Sequence, residues 1–185
     1  TFERNTVLTT TADGLGGGLF ANNALALTGT TFYTNTAGYQ GGGAYVLSTA
    51  ALTNAVFISN TAQTSSGGGA YFAGAATVSG GTFERNAAPD TTNGWGGGLL
   101  AANTLTLTGT AFHSNTAQNG GGVYRGGGGA GRLVNTLLAG NAAVANGGAM
   151  YLGSSGVVEL VHATIASPTV GAGDAIYVTG GTVYI

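Results

Sequence analysis

Glu3, Asp13, Glu84, Asp90, Glu159 and Asp174 are the only side-chain carboxylates in this chain. Two carboxyl groups cleave a glycosidic bond when about 5–9.5 Å separates them. Here Glu3 and Glu84 hold equivalent places in two copies of one repeated phrase, and Asp13 and Asp90 equivalent places in two loops. Calcium takes about six to eight oxygen ligands, several of them carboxylates, and no segment gathers such a set. His113 aligns with Glu84 one repeat away, which suits an outward charge pair; no nucleophile or orienting group accompanies it. The run from Arg125 to Arg132 is glycine-rich like a phosphate loop but lacks the Gly-Lys-Ser/Thr ending, so its arginines read as solvated loop charges. Without cysteine there is neither a thiolate nor a disulfide. Catalysis, a metal and a cofactor are therefore not expected.

The elements that must position these residues follow from a repeat. Every 25 to 30 residues an aromatic, two variable residues and an asparagine recur, followed by three glycines. The copies are Phe2–Asn5, Phe32–Asn35, Phe57–Asn60, Phe83–Asn86 and Phe112–Asn115, with weaker ones at Leu138–Asn141 and Ile165–Pro168. The glycines stand at 16–18, 41–43, 67–69, 96–98 and 120–122, decaying to Gly147-Gly148-Ala149 and Gly173-Asp174-Ala175. A fixed period of this size means stacked units. Glycine triplets oppose a helical repeat, each glycine costing about 1 kcal/mol in a helix. A longer unit is duplicated as well, since Thr82-Phe83-Glu84-Arg85-Asn86 repeats Thr1-Phe2-Glu3-Arg4-Asn5.

Aligned on the aromatic, the columns Leu27, Leu52, Val78, Leu107, Leu133, Leu160 and Leu25, Ala50, Ala76, Leu105, Gly131, Val158 lie two residues apart. That spacing is the strand period, with one face turned inward. Between them and the aromatic stand Gly29, Asn54, Gly80, Gly109, Asn135 and His162, residue types that tolerate positive φ and so mark a bend. The aromatic opens a second strand and the asparagine ends it. After the glycines a third strand carries Leu19, Ala44, Ala70, Leu99, Val123, Met150, Ile176, then Ala21, Val46, Phe72, Ala101, Arg125, Leu152, Val178, where only the arginine sits badly in an inward column. The pattern predicts an all-β fold: a right-handed parallel β-helix, a solenoid of about seven coils with three short strands each. At about 4.8 Å per coil it would make a rod of roughly 35 Å. The asparagines should form an inward ladder of side-chain amides; none lies in an Asn-x-Ser/Thr sequon.

Composition narrows the function. With 43% apolar residues a core can form, whereas only 5% are charged and the net charge is −2. Four arginines and no lysine give no basic stripe for nucleic acid or an anionic membrane. No apolar run is long enough to span a bilayer. The absence of cysteine is compatible with export. The chain opens on Thr1 and closes at Ile185 within repeats, so residues 1–185 read as one β-helix domain within a longer or polymerising polypeptide.

Two features suit a partner. Long connections, Thr6–Leu15 with Asp13 and Ala87–Trp95 with Asp90, precede two of the glycine triplets, and loops on a rigid scaffold are where binding concentrates. Trp95, the single tryptophan, closes the second. The column Phe20, Tyr45, Tyr71, Leu100, Tyr124, Tyr151, Tyr177 alternates with inward residues and so should face outward, where stacked aromatics suit carbohydrate or lateral packing. Threonines before the aromatic (Thr1, Thr31, Thr82, Thr164) and after the asparagine (Thr6, Thr36, Thr61, Thr116) would bind ice only as unbroken arrays, and both columns are interrupted.

Gly41-Gly42-Gly43-Ala44, Gly67-Gly68-Gly69-Ala70 and Gly147-Gly148-Ala149-Met150, alternating with the Phe-x-x-Asn copies, resemble the passenger repeats of chlamydial polymorphic outer-membrane proteins and related bacterial surface adhesins. The resemblance spans almost the whole chain and implies a surface-exposed adhesin carried by a C-terminal barrel, of which this chain shows no sequence. The leading expectation is a noncatalytic extracellular or cell-surface β-helix serving as rod, fibre subunit or adhesive passenger. Its expected partners are copies of itself or flanking coils end to end, and a host or matrix glycan or protein. The alternatives are a carbohydrate-binding or carbohydrate-active β-helix and, as a lesser reading, an ice-binding protein.

Overall fold

The computed structural model describes residues 1–153, 156–166 and 174–185. The chain is a parallel β-solenoid of about seven coils, with 27 short strands and no helix among the described residues. The strands build four parallel sheets, three of seven strands and one of six. One coil runs Val56–Ile58, Thr61–Ala62, Ala70–Phe72, Ala76–Ser79, and the next begins at Thr82–Glu84. Equivalent columns pair without slippage through most of the rod: Phe32 with Phe57, Val78 with Leu107, Tyr71 with Leu100. Pro168 and Gly173, which end and begin weak repeat copies, lie outside the described residues.

The inward columns form a single core. Leu52, Val78, Leu107 and Leu133 are buried, as are Ala70, Leu99, Val123 and Met150 across from them. Phe2, Phe32, Phe57, Phe83 and Phe112 stack face to face at 4.5–4.9 Å between centroids, the rise of one coil, and Leu138 continues the line. Gly29, Asn54, Gly80, Gly109, Asn135 and His162 all take φ between 50° and 66°, so His162 is a bend residue like its column mates.

A fourth strand accompanies the three legible in the repeat. It is only two residues long in Thr36–Ala37, Thr61–Ala62 and Ala87–Ala88, too short to show a period, and lengthens to Ala142–Asn146. The corner before it is a second left-handed column: Arg4, Thr34, Ser59, Arg85, Ser114 and Gly140 have φ of 51–62°. Its residue types carry no turn signature. The asparagine that follows holds the corner. Asn60 Nδ2 donates to Asn86 Oδ1 at 2.9 Å and to the Phe32 carbonyl at 3.0 Å, and the pattern runs from Asn5 to Asn141.

Each glycine of a triplet answers a different demand. Gly41 has φ of 68°; a Cβ on Gly42 would meet the Gly68 carbonyl oxygen at 2.2 Å; one on Gly43 would meet the Phe57 ring at 2.9 Å and Asn60 at 3.1 Å. The triplet is thus the wall against which the aromatic stack and the asparagine ladder pack.

Two charge assignments change in three dimensions. Arg125 is not a solvated loop charge: strand alternation turns it inward, it is 0% exposed, and Gly131 beside it supplies the room. Burial lowers the pKa of its guanidinium. Arg132 is exposed and pairs with Glu159 at 3.2 Å. Glu84 is the register partner of His113, as the alignment predicts, but its ion pair is with the adjacent Arg85.

Candidate functional site, an aromatic ladder interrupted at Leu100

The third sheet alternates inward aliphatics with an outer column of rings. Phe20, Tyr45 and Tyr71 stack at 5.7 and 4.9 Å and Tyr124 on Tyr151 at 4.7 Å, with Tyr177 tilted by 38° against Tyr151 at 5.2 Å. The column faces outward, yet its members differ in access. Phe20 is 48% exposed, Tyr45 only 8%, and Tyr71, Tyr124, Tyr151 and Tyr177 are half-buried. Phe20 ends its line and is stacked on one side only, whereas Tyr45 lies between Phe20 and Tyr71.

Between Tyr71 and Tyr124 the column holds Leu100, which pairs in register with both. A leucine is shorter than a tyrosine, so the line of rings is notched there. Trp95 enters the notch from the side. It stands five residues before Leu100, in the position that Gln40 and Ser66 hold in the coils below, and its indole stacks on Tyr124 at 5.2 Å. A cleft of about 420 Å³ remains, lined by Tyr39, Tyr71, Trp95, Leu100 and Tyr124. Gln40, Ser65, Ser66 and Asn93 supply its polar lining.

The loop that brings Trp95 is held in place. Asp90 Oδ1 accepts the backbone N–H groups of Thr92 at 2.9 Å and Asn93 at 2.6 Å, and the Asp90 carbonyl accepts Gly94 N–H at 3.0 Å. Ser66 Oγ donates to the Asn93 carbonyl at 2.6 Å, tying the loop to the coil beneath. Asp90 therefore shapes the loop, and its carboxylate is engaged within it. Asp13 is exposed in the equivalent first loop beside Leu15 and Phe20, around a separate shallow hollow. That loop crosses two coils, since Thr64 Oγ1 donates to the Thr10 carbonyl at 3.2 Å.

The cleft's tyrosines are electrostatically coupled to their neighbours. Burial, the larger cause, pushes the Tyr71 hydroxyl above its ordinary value of 10.0, and the potential charges of Tyr45 and Tyr39 push the same way. Tyr124 is raised by burial and then by Tyr151. Both hydroxyls remain protonated and able to donate at neutral pH.

Of the residues foreseen for a partner, Tyr71, Trp95 and Tyr124 meet at this cleft. Tyr45, Tyr151 and Tyr177 extend the ladder on either side, and Asp13 lies apart. Tyr39, Gln40, Ser65, Ser66, Asn93 and Leu100 were missed. The available signal was a coincidence within one repeat: the coil whose outer column loses its aromatic is the one carrying the only tryptophan. Sequence columns also overlooked the exposed hydroxyls of Thr28, Thr53, Ser79 and Thr108 on the sheet that contains Ala76–Ser79, which Val134 and Val161 interrupt.

Comparison with protein-family models, curated proteins and solved structures finds no match to this chain.

Proposed function

We propose that this chain is a noncatalytic, extracellular β-solenoid rod that presents an adhesive face. The observation that carries the reading is the outer aromatic ladder of the third sheet, a strip of rings along the rod with two long loops beside it. Aromatic side chains at a surface present large apolar area with polar tips, which suits a contact formed and released in water. Several of the remaining polar groups serve the scaffold. The asparagines bond to each other along the core, Glu3, Glu84 and Glu159 pair with arginines, and Asp90 closes a turn.

The resemblance of the Gly-Gly-Ala and Phe-x-x-Asn repeats to passenger segments of chlamydial polymorphic outer-membrane proteins supports a place on a cell surface. The cysteine-free composition is compatible with that place. Coils of identical register are able to continue one another, so flanking coils or further copies are the natural axial partners, with a glycan or protein at the lateral face.

Immunogold electron microscopy of the source cells, with antibody raised against this chain, tests the reading. Label on filaments or on short rods outside the cell envelope is the expected result. Label confined to the cell interior overturns it. Filaments with a regular axial repeat would make end-to-end stacking the working interface, whereas short tethered rods would leave the lateral face as the working surface.

A further inference from the structure

We infer that the cleft between Tyr71 and Trp95 is a subsite for a neutral hexopyranose chain, a ligand class that rests on the reading of the aromatic face as the partner-binding surface. The structure offers this ligand shape, charge and hydrogen bonding together. Tyr71 and Tyr124 stand two coils apart, about 9.6 Å along the rod; the leucine between them is buried, and Trp95, stacked on Tyr124, covers it. Trp95 and Tyr124, stacked at 5.2 Å with planes 14° apart, cover one face of each other and line the cleft with the rest of their aromatic surface. A pyranose has an apolar face of ring C–H groups that packs on such surface at about 3.5–4.0 Å between carbons. The volume of about 420 Å³ lies in the range of small-molecule sites, about 300–1,000 Å³.

The lining carries no Asp, Glu, Lys, Arg or His, so neither an acidic nor a basic saccharide would find a counter-charge. A sugar's hydroxyls project from the rim of its ring and need partners there. Tyr39 and Tyr71 hydroxyls and the side-chain amides of Gln40 and Asn93 belong to the lining residues and offer both donors and acceptors, Gln40 Nε2 donating to Ser65 Oγ at 3.3 Å. A proline-rich peptide, the other common occupant of aromatic grooves, presents carbonyl acceptors alone and would leave the amide oxygens of Gln40 and Asn93 unmatched.

Because Trp95 is the only tryptophan, its emission reports on this cleft alone. The chain is titrated with cellohexaose, xylohexaose, maltohexaose and mannohexaose, and in parallel with decaproline, following Trp95 fluorescence and heat of binding. At least one hexaose should give a saturable emission shift. Leu100→Tyr, which sets a larger side chain against Trp95 at a buried position, should weaken that hexaose at least about tenfold, with circular dichroism and the melting midpoint recorded to separate loss of binding from loss of fold. Equal hexaose affinity in Leu100→Tyr, no response to any hexaose, or a response to decaproline alone would each overturn the subsite. None of these bears on the location of the rods, so the surface reading stands or falls separately, on the immunogold result.

Discussion

Asn60 and Asn86 are joined twice, the backbone N–H and the side-chain Nδ2 of Asn60 both donating to Asn86 Oδ1 at 2.9 Å. Asn86 in turn donates through Nδ2 to the Phe57 carbonyl at 2.9 Å and to Asn115 Oδ1 at 3.0 Å. One buried amide thus satisfies three neighbours that water cannot reach. Asn86→Ala strands two donors and a carbonyl, each at about 1–3 kcal/mol. We expect a loss of about 3–5 kcal/mol, read as a lower urea midpoint at an unchanged denaturant slope.

Thr34 adopts φ of 52° with a branched side chain. Left-handed backbone costs such a residue about 1–2 kcal/mol, and glycine escapes that strain at some loss of chain entropy. Thr34→Gly should raise stability by about 0.5–1 kcal/mol in thermal melts. Gly42→Ala should do the reverse and severely, because its Cβ would sit 2.2 Å from the Gly68 carbonyl oxygen. If Gly42→Ala melts with the wild type, the close contact between coils is wrong.

Arg125 and Gly131 compensate each other within the core. A Cβ on Gly131 would come within 3.3 Å of the Arg125 Cδ and Nε atoms. In the preceding coil the same two places are Ala101 and Leu105, small and large exchanged. Arg125→Ala should destabilise through a cavity and Gly131→Leu through overpacking, each by about 2 kcal/mol or more. The double variant rebuilds the earlier coil, so a double-mutant cycle should show a favourable coupling above about 1 kcal/mol. Simple additivity would show that the two side chains do not share a space.

Alkali should loosen the outer ladder. Burial first, and neighbouring tyrosines second, raise the hydroxyl pKa of Tyr45, Tyr71 and Tyr124 above 10.0. The folded chain therefore keeps these protons to a higher pH than the unfolded chain does. Their stabilisation is complete below about pH 10 and is lost as pH rises through the folded values. Ultraviolet titration at alkaline pH should show late-ionising tyrosines whose release coincides with unfolding. Full ionisation of all tyrosines near pH 10 in a still-folded chain would contradict the burial.

The sequence by itself determined the coil, because in a solenoid each residue meets its own counterpart one repeat away. The Phe stack, the asparagine ladder and the Gly29, Asn54 and His162 bends are contacts between like columns, and the repeat prints like columns directly. Only the tertiary structure decided contacts between unlike columns. The path of a coil across its corners sets their distance, and no spacing along the chain encodes that path. It placed a second left-handed corner at Thr34 and Arg85, where nothing in the residue types asks for one. It also turned Arg125 into the space left by Gly131 and carried Trp95 sideways over Leu100 onto Tyr124. Where the repeat is regular, composition and period suffice; the candidate site lies where one coil departs from it, and there the packing of unlike side chains decides.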